Sequence, residues 1–256
     1  MIILLTNDDG IDAPGLKALH CALEGLGELW VVAPVEEQSG VGHAFSINGP
    51  LRVIPKDHGD GGRWFAVDGT PADAVKLAVR SLLPEVPVLV MSGVNRGENT
   101  GVDLLYSGTV AAAREASVFG IPAVAVSLCS KTFPRFSAAA AFARRLAETV
   151  MENGLPRGTM LNVNFPPLPP GRIRGVRITH QAASRYEETV RREVEPRGMF
   201  CHWESFTKVL DEEGDGSDVE AVRQSFVSVT PVHHRLTDRE FIAEMADWRL
   251  DGLLGT

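Results

Sequence analysis

The first half of this chain alternates short apolar runs with amphipathic helical patterns, and this alternation constrains the fold more than any other feature. The runs are rich in Val, Ile and Leu and are almost continuously apolar, which is typical of strands buried on both faces. Strands that alternate with helices in this way predict parallel βαβ units. The predicted strands are residues 2–6, 29–34, 86–91 and 123–128.

Several of the predicted helices carry recognisable start signals. Asp12 is suited to cap a first helix, with Pro14 in its first turn. Thr70, Pro71 and Asp73 have the spacing of a capping box at the start of a second helix. Further helices are predicted from residue 109 and over residues 137–152. A hairpin is predicted from the runs 51–55 and 64–67, which flank a glycine-rich and aspartate-rich turn.

The pattern changes after about residue 159, where strand-like runs follow one another without helices between them. These runs are residues 160–165, 173–179, 200–206 and 226–230, and a proline-rich connector covers 166–170. We interpret 160–165 as the last strand of the sheet, followed by a β-rich extension and a terminal helix over 238–250. The predicted organisation is an α/β core over residues 1–166 and an extension over 167–256.

Composition excludes some classes of protein. The chain has 256 residues and a formal net charge of −8, which argues against binding to nucleic-acid polymers. No run approaches the ~18 apolar residues of a membrane span. Three widely separated cysteines, Cys21, Cys129 and Cys201, have the spacing of neither a metal site nor a disulfide framework. A reducing cytoplasm is therefore the expected compartment.

Two adjacent acids, Asp8 and Asp9, directly follow the first predicted strand. Ligands of open α/β sheets bind at the carboxyl ends of the strands. Two neighbouring carboxylates repel each other unless a cation or hydrogen-bond donors offset them, which favours a hard divalent metal. The same residues also suit a solvated Asp-Gly turn, so this stretch alone leaves both interpretations open.

Two further polar loops follow predicted strands and can converge on the acids. They contribute the hydroxyl of Ser39 and the amide oxygen of Asn95. With the two carboxylates these groups form an all-oxygen set, which suits Mg²⁺ or Mn²⁺. The set contains no His or Cys, so zinc is disfavoured.

A third stretch, Ser107-Gly108-Thr109, precedes a predicted helix. The first turn of a helix has free N–H groups and a partial positive charge, and both favour phosphate. The preceding loop is rich in glycine and also holds Asn99, which suggests that it lines a ligand. The alternative for Ser107–Thr109 is a plain helix cap.

Taken together, these stretches resemble the SurE family, the stationary-phase survival proteins that act as 5′-nucleotidases. The resemblance covers nearly the whole chain, and the order and spacing of the motifs make it specific. The motifs are Thr6-Asn7-Asp8-Asp9-Gly10, Ala13-Pro14-Gly15, Ala33-Pro34 with Gln38-Ser39-Gly40, Asp68-Gly69-Thr70-Pro71-Ala72-Asp73, Ser92-Gly93-Val94-Asn95-Arg96-Gly97, Ser107-Gly108-Thr109-Val110 with Ala112-Ala113-Arg114-Glu115, Asn162-Val163-Asn164-Phe165-Pro166, and Val227-Ser228-Val229-Thr230-Pro231.

The resemblance implies a Rossmann-like, three-layer fold whose carboxyl-terminal extension exchanges elements between subunits, giving a homodimer or homotetramer. It implies one divalent cation per subunit and hydrolysis of nucleoside 5′-monophosphates, and it leaves short polyphosphate open as a second substrate. The implied metal ligands are Asp8, Asp9, Ser39 and Asn95. The implied phosphate-binding turn is Ser107, Gly108 and Thr109, and Gly40 and Asn99 are predicted as further substrate-binding residues.

The expected chemistry is metal-assisted hydrolysis of a phosphate monoester, with Asp8, Asp9 and Asn95 as catalytic residues. Asp9 is the expected general base or nucleophile, and the attacking group is left open between water and a carboxylate. A haloacid-dehalogenase-type phosphatase is a rival, but its two acids are separated by one residue. A nucleotide-binding sensor without turnover is a second rival. A structural α/β domain whose polar loops are only turns is a third.

Overall fold

The computed structural model describes residues 1–58, 63–130, 132, 135–194, 200–211, 216–248, 250 and 253. Within these residues, nine strands form one central sheet and two form a separate hairpin. The strands are β1 (Ile2–Thr6), β2 (Glu28–Pro34), β3 (Val53–Lys56), β4 (Trp64–Val67), β5 (Leu89–Arg96), β6 (Ala123–Leu128), β7 (Thr159–Phe165), β8 (Gly175–Ile178), β9 (Ser184–Val194), β10 (Phe200–Leu210) and β11 (Phe226–His233). The helices are α1 (Pro14–Leu23), α2 (Pro71–Leu77), α3 (Asp103–Tyr106), α4 (Gly108–Val118), α5 (Phe136–Asn153), α6 (Asp218–Arg223) and α7 (Arg239–Met245).

The central sheet has the order β3-β4-β2-β1-β5-β6-β7-β11-β8. The six strands from β4 to β7 run parallel to their neighbours. Strand β3 is antiparallel to β4, as the hairpin pattern predicts, and β11 is antiparallel to β7. The chain is therefore an α/β protein with a mostly parallel sheet, which confirms the predicted fold class.

The sheet has a helical layer on each face. Along β1 the buried side chains alternate, so that Ile3 and Leu5 pack with α1 and α5, whereas Leu4 packs with α2 and α4. Both faces of the central strands are covered, which explains why those strands are almost continuously apolar. The result is the expected three-layer arrangement.

The interpretation of residues 160–165 as the last strand of the sheet is wrong. Strand β11 pairs with the outer edge of β7, and β8 then pairs in parallel with β11. The buried Val227 and Val229 of β11 join the same apolar cluster as Val163 of β7. The extension thus adds strands to the core sheet, while β9 and β10 form an antiparallel hairpin apart from it. The division of the chain at residue 166 stays a prediction.

The helix starts agree with the sequence at α2 and differ at α1. Thr70 and Asp73 form the predicted reciprocal capping box. At α1, however, Ala13 occupies the cap position, and no side chain caps the helix there. The prediction that Asp12 caps α1 is wrong, because a turn closed by Ala13 N–H and the Gly10 carbonyl delays the helix by one residue. Asp12 instead lies 3.6 Å from the Lys17 ammonium.

The terminal helix is shorter than the predicted range 238–250. Asp238 accepts hydrogen bonds from two N–H groups of the first turn, and the α-helix ends at Met245, before a 3₁₀ turn over Ala246–Trp248. Among the described helices, none is both long and apolar enough to cross a membrane.

Candidate active site

A cavity of about 840 Å³ lies beyond the carboxyl ends of β1, β2 and β5. Six of the nine predicted site residues line it, and the other three adjoin Asp8 in sequence or in contact. The six lining residues are Asp8, Ser39, Gly40, Asn95, Asn99 and Ser107. The three adjoining residues are Asp9, Gly108 and Thr109. The topology therefore brings together the three loops that follow separate strands.

Asp8 is almost completely buried and lies against the first turn of α4. The Thr109 hydroxyl donates a hydrogen bond to Asp8 Oδ1, and the Thr109 N–H donates to the same carboxylate. Burial raises the pKa of Asp8 above its ordinary value, and these two bonds oppose the rise. Only glycine fits at position 108, because a Cβ there would lie 2.8 Å from Asp8 Cβ.

Asp9 is partly buried, and its Oδ2 accepts a hydrogen bond from the Arg96 N–H at 3.1 Å. Burial raises the pKa of Asp9 to about 6, and the neighbouring charge of Asp8 adds to the rise. Without a bound cation, the protein therefore disfavours the state in which both Asp8 and Asp9 are ionised.

The prediction that Asn95 lies in a loop after its strand is wrong: Asn95 belongs to β5 and pairs with Ser127 of β6, next to an irregularity in the pairing between Gly93 and Asn95. Its Nδ2 donates to the Gly97 carbonyl at 3.0 Å, which leaves Oδ1 without a protein donor in the described part of the chain. The Ser39 hydroxyl donates to the Glu37 carboxylate at 2.6 Å and keeps its lone pairs for another partner. Both side chains therefore present oxygen atoms as acceptors to the cavity.

These residues fit a hard divalent cation. In the described ranges, no basic side chain forms a salt bridge with either Asp8 or Asp9, although the two acids are adjacent and withdrawn from water. The donor set is entirely oxygen, as Mg²⁺ and Mn²⁺ prefer. A bound dication would remove the electrostatic cost that raises the pKa values of both carboxyl groups.

The first turn of α4 is built as predicted, with one difference. The helix begins at Gly108, and Ser107 is the cap, whose hydroxyl accepts a hydrogen bond from the Val110 N–H at 3.1 Å. The Thr109 hydroxyl and N–H both donate hydrogen bonds to Asp8, so they stabilise the Asp8 carboxylate. Among the described residues, the Gly108 N–H has no acceptor, and it stays available to an anion.

Asn99 lines the cavity, and hydrogen bonds to buried polar side chains of β6 and β7 fix its position. Its N–H donates to Asn164 Oδ1 at 2.8 Å, and its side chain donates to the Ser127 hydroxyl at 2.7 Å. Its carbonyl accepts from both Asn162 and Asn164, at 2.8 and 2.9 Å. These bonds from β6 and β7 set the position of the loop that follows β5.

The loop that carries Ser39 is held to the site at several points. Gln38 N–H donates to the Asp8 carbonyl at 2.7 Å, and Gly42 N–H donates to the Tyr106 carbonyl at 2.8 Å. Further along, His43 Nε2 lies 2.8 Å from the Glu115 carboxylate of α4. The loop is thus attached to the residue after β1, to the end of α3 and to α4.

Sequence reasoning missed one wall of the cavity. Tyr186, Phe206 and Lys208 belong to the β9–β10 hairpin and line the cavity beside Tyr106. No local motif marks them, because their role depends on where the hairpin docks. Glu37 also lines the cavity, and its place two residues before Ser39 in a polar loop is the signal that points to it.

Comparison with known proteins agrees with this geometry. A family model described as "Survival protein SurE" matches residues 3–188. The chain therefore belongs to the SurE family.

Individual relatives extend the match to nearly the whole chain. A protein named "5′-nucleotidase SurE" from Geotalea daltonii is 49% identical, over 98% of this chain and 100% of the relative. One with the same name from Moorella thermoacetica is 46% identical, over 96% of this chain and 95% of the relative. The crystal structure of the Sure protein from Aquifex aeolicus superposes with a TM-score of 0.83 at 38% identity, covering 96% of this chain and 98% of that one.

Proposed function

We propose that this protein is a 5′-nucleotidase that hydrolyses nucleoside 5′-monophosphates to nucleoside and phosphate. The observation that carries the proposal is the adjacent pair Asp8 and Asp9, of which Asp8 is buried, lines the cavity and contacts the first turn of α4, and Asp9 is partly buried beside it. The names of the relatives, "5′-nucleotidase SurE", support the same activity.

In this proposal Asp8, Asp9, Ser39 and Asn95 hold one divalent cation, Mg²⁺ or Mn²⁺. When bound, such a cation polarises a phosphoryl oxygen and offsets the charge that develops during hydrolysis. The Oδ1 atom of Asn95 supports this role, because its partner Nδ2 is already used by Gly97.

The protein's own groups bind and orient the phosphate. The Gly108 N–H and the positive end of α4 favour phosphate oxygens, and Ser107 fixes the first turn of that helix. Arg96 N–H holds Asp9 Oδ2, which leaves Oδ1 to accept a proton from the attacking water. The water oxygen then bonds to phosphorus as the bond from phosphorus to the ester oxygen breaks, and the proton taken by Asp9 returns to that ester oxygen to give the nucleoside hydroxyl.

The test is release of phosphate from a panel of nucleoside monophosphates and a short polyphosphate, measured with Mg²⁺, with Mn²⁺ and with EDTA. We expect metal-dependent release by the wild type and its loss in Asp9→Ala. Asp12→Ala is the matched control, because Asp12 is an exposed acid three residues further on and does not line the cavity. Nucleotide binding without release under any metal would contradict the proposal and favour a sensor.

We also propose that the protein acts as a homo-oligomer in the cytoplasm. Large apolar side chains are exposed on the hairpin and on the C-terminal segment, and they include Phe200, Trp203, Ile242 and Trp248. Exposed apolar groups of this size support a contact with another copy. The three cysteines are widely separated in the sequence and lack the spacing of a disulfide framework, which supports a reducing compartment. Light scattering coupled to size exclusion tests the assembly, and a mass equal to one chain would contradict it.

A further inference from the structure

The cavity has an aromatic side as well as a polar one. Tyr106 ends α3 and directly precedes Ser107, the cap of the helix on the phosphate side. Tyr186 and Phe206 reach the same cavity from the hairpin. The aromatic side of the cavity therefore includes Tyr106, the residue next to the helix cap that favours phosphate.

The three rings form a connected group. The ring centroids of Tyr106 and Tyr186 are 5.7 Å apart, and those of Tyr186 and Phe206 are 5.8 Å apart. Tyr106 is 50% exposed and Phe206 is 53% exposed, although both line a cavity. Exposed aromatic rings beside a binding site are suited to stack on a flat ligand.

The polar groups of the hairpin are already used for docking. The Tyr186 hydroxyl donates to the Asp103 carboxylate, so the ring is held in place. The Lys208 ammonium donates to Glu98, Thr100 Oγ1 and Asp103, at 2.6, 2.7 and 2.7 Å. These bonds use all three of its N–H groups, so Lys208 has none left for a phosphate.

We infer that the Tyr106–Tyr186–Phe206 group binds the nucleobase of the substrate, and that the β9–β10 hairpin supplies the base-recognising wall of the active site. The inference rests on the proposed nucleotidase activity. A base has two flat apolar faces, and its stacking depends little on which base is present. The site is therefore expected to accept several nucleoside monophosphates and to disfavour phosphate esters that lack a base.

The test compares Phe206→Leu and Tyr106→Leu with the wild type. Both changes keep an apolar side chain and remove the flat ring. Two quantities are measured: the affinity for adenosine, which needs no turnover, and the ratio of kcat/KM on AMP to that on ribose 5-phosphate. We expect adenosine binding to weaken about tenfold and the ratio to fall by a similar factor, mainly through KM.

Two control variants separate stacking from general damage. Phe200→Leu changes the same residue type on the same strand, with similar exposure, at a position that does not line the cavity. Tyr106→Phe keeps the ring. We expect both to retain the affinity for adenosine and the ratio.

Unchanged adenosine affinity in Phe206→Leu and Tyr106→Leu would overturn the inference, as would equal losses on AMP and ribose 5-phosphate. A change in oligomeric mass with unchanged adenosine affinity would also overturn it, because Phe206 would then be a subunit contact. Adenosine binding that depends on the rings, with no phosphate release by the wild type, would support the base site while contradicting the proposed activity.

Discussion

The hydroxyl of Thr109, in the first turn of α4, donates a hydrogen bond to the buried carboxylate of Asp8 at the end of β1. The two residues are 101 positions apart in the chain. This bond joins Asp8, a proposed cation ligand, to the first turn of α4, the proposed phosphate-binding element, so the two parts of the proposed site share one hydrogen-bonded unit.

Removing that hydroxyl is expected to weaken metal binding. In Thr109→Val the Asp8 carboxylate loses a donor that lowers its pKa, while the size of the side chain is kept. Hydrogen bonds to charged groups contribute about 1.5–3 kcal/mol, so the affinity for Mn²⁺ at pH 7 falls by about tenfold or more. Titration with Mn²⁺ followed by electron paramagnetic resonance measures this affinity. Thr109→Ser keeps the hydroxyl and is the control; an equal loss in both variants would contradict the role given to this bond.

Neutralising Asp9 is expected to stabilise the metal-free protein. The folded-state pKa of Asp9 is raised to about 6, so its charge costs stability as the pH rises from about 4 through 6. Asp9→Asn therefore raises the free energy of unfolding by about 1–2 kcal/mol at pH 7, which allows for partial exposure, and by less at pH 5. Urea denaturation in EDTA measures this.

If Asp9 is a metal ligand as proposed, Mn²⁺ stabilises the wild type against unfolding, and Asp9→Asn is expected to lose that stabilisation. Asp12→Asn, at an exposed position, is the control for general charge effects. A destabilised Asp9→Asn protein in EDTA would show that the carboxylate is a structural group and not a ligand held at a cost.

The two asparagines of β7 are expected to contribute unequally. Asn164 both accepts from the Asn99 N–H and donates to the Asn99 carbonyl, whereas Asn162 only donates to that carbonyl and has a buried Oδ1 without a partner in the described residues. Asn164→Ala should cost about 2–3 kcal/mol of stability, roughly twice the cost of Asn162→Ala. Urea midpoints decide this, and equal costs would contradict it. We also expect the lower kcat in Asn164→Ala, because the loop after β5 loses its position.

The docking of the hairpin is expected to depend on Lys208. Burial lowers the pKa of Lys208, but its bonds to Asp103 and Glu98 outweigh this and raise it, so the group is charged at neutral pH. Lys208→Met leaves both acids without their cation and should accelerate hydrogen exchange in residues 98–103 and 200–208. Lys17→Met, which removes an exposed pair with Asp12, should leave exchange there unchanged. Unaltered exchange in Lys208→Met would show that other contacts dock the hairpin.

Local signals in the sequence were sufficient for several features of the site. The apolar strand before Asp8 and Asp9 places two acids at a strand end, and the Thr70–Asp73 capping box forms as the spacing predicts. The chain also starts α4 next to Ser107, because a small polar cap is a short-range signal. Each of these features depends on neighbours within a few positions.

Other features depend on distant contacts and could not be predicted locally. The cap of α1 shifts from Asp12 to Ala13 because of a turn that packs against β2. The sequence pattern predicts β8 and β11 as parts of a separate extension. In the structure they complete the central sheet, because Val227 and Val229 of β11 are buried in the same apolar cluster as Val163 of β7.

The sequence by itself determined the α/β class, the two acids at the first strand end and the helix start that favours phosphate, because these follow from hydrophobic periodicity and short-range hydrogen bonds. Only the tertiary structure decided that Thr109 serves Asp8 and that Tyr186, Phe206 and Lys208 form a wall of the cavity. Those outcomes depend on contacts between residues about a hundred positions apart. Such contacts are set by how the sheet and the hairpin pack and not by any local pattern.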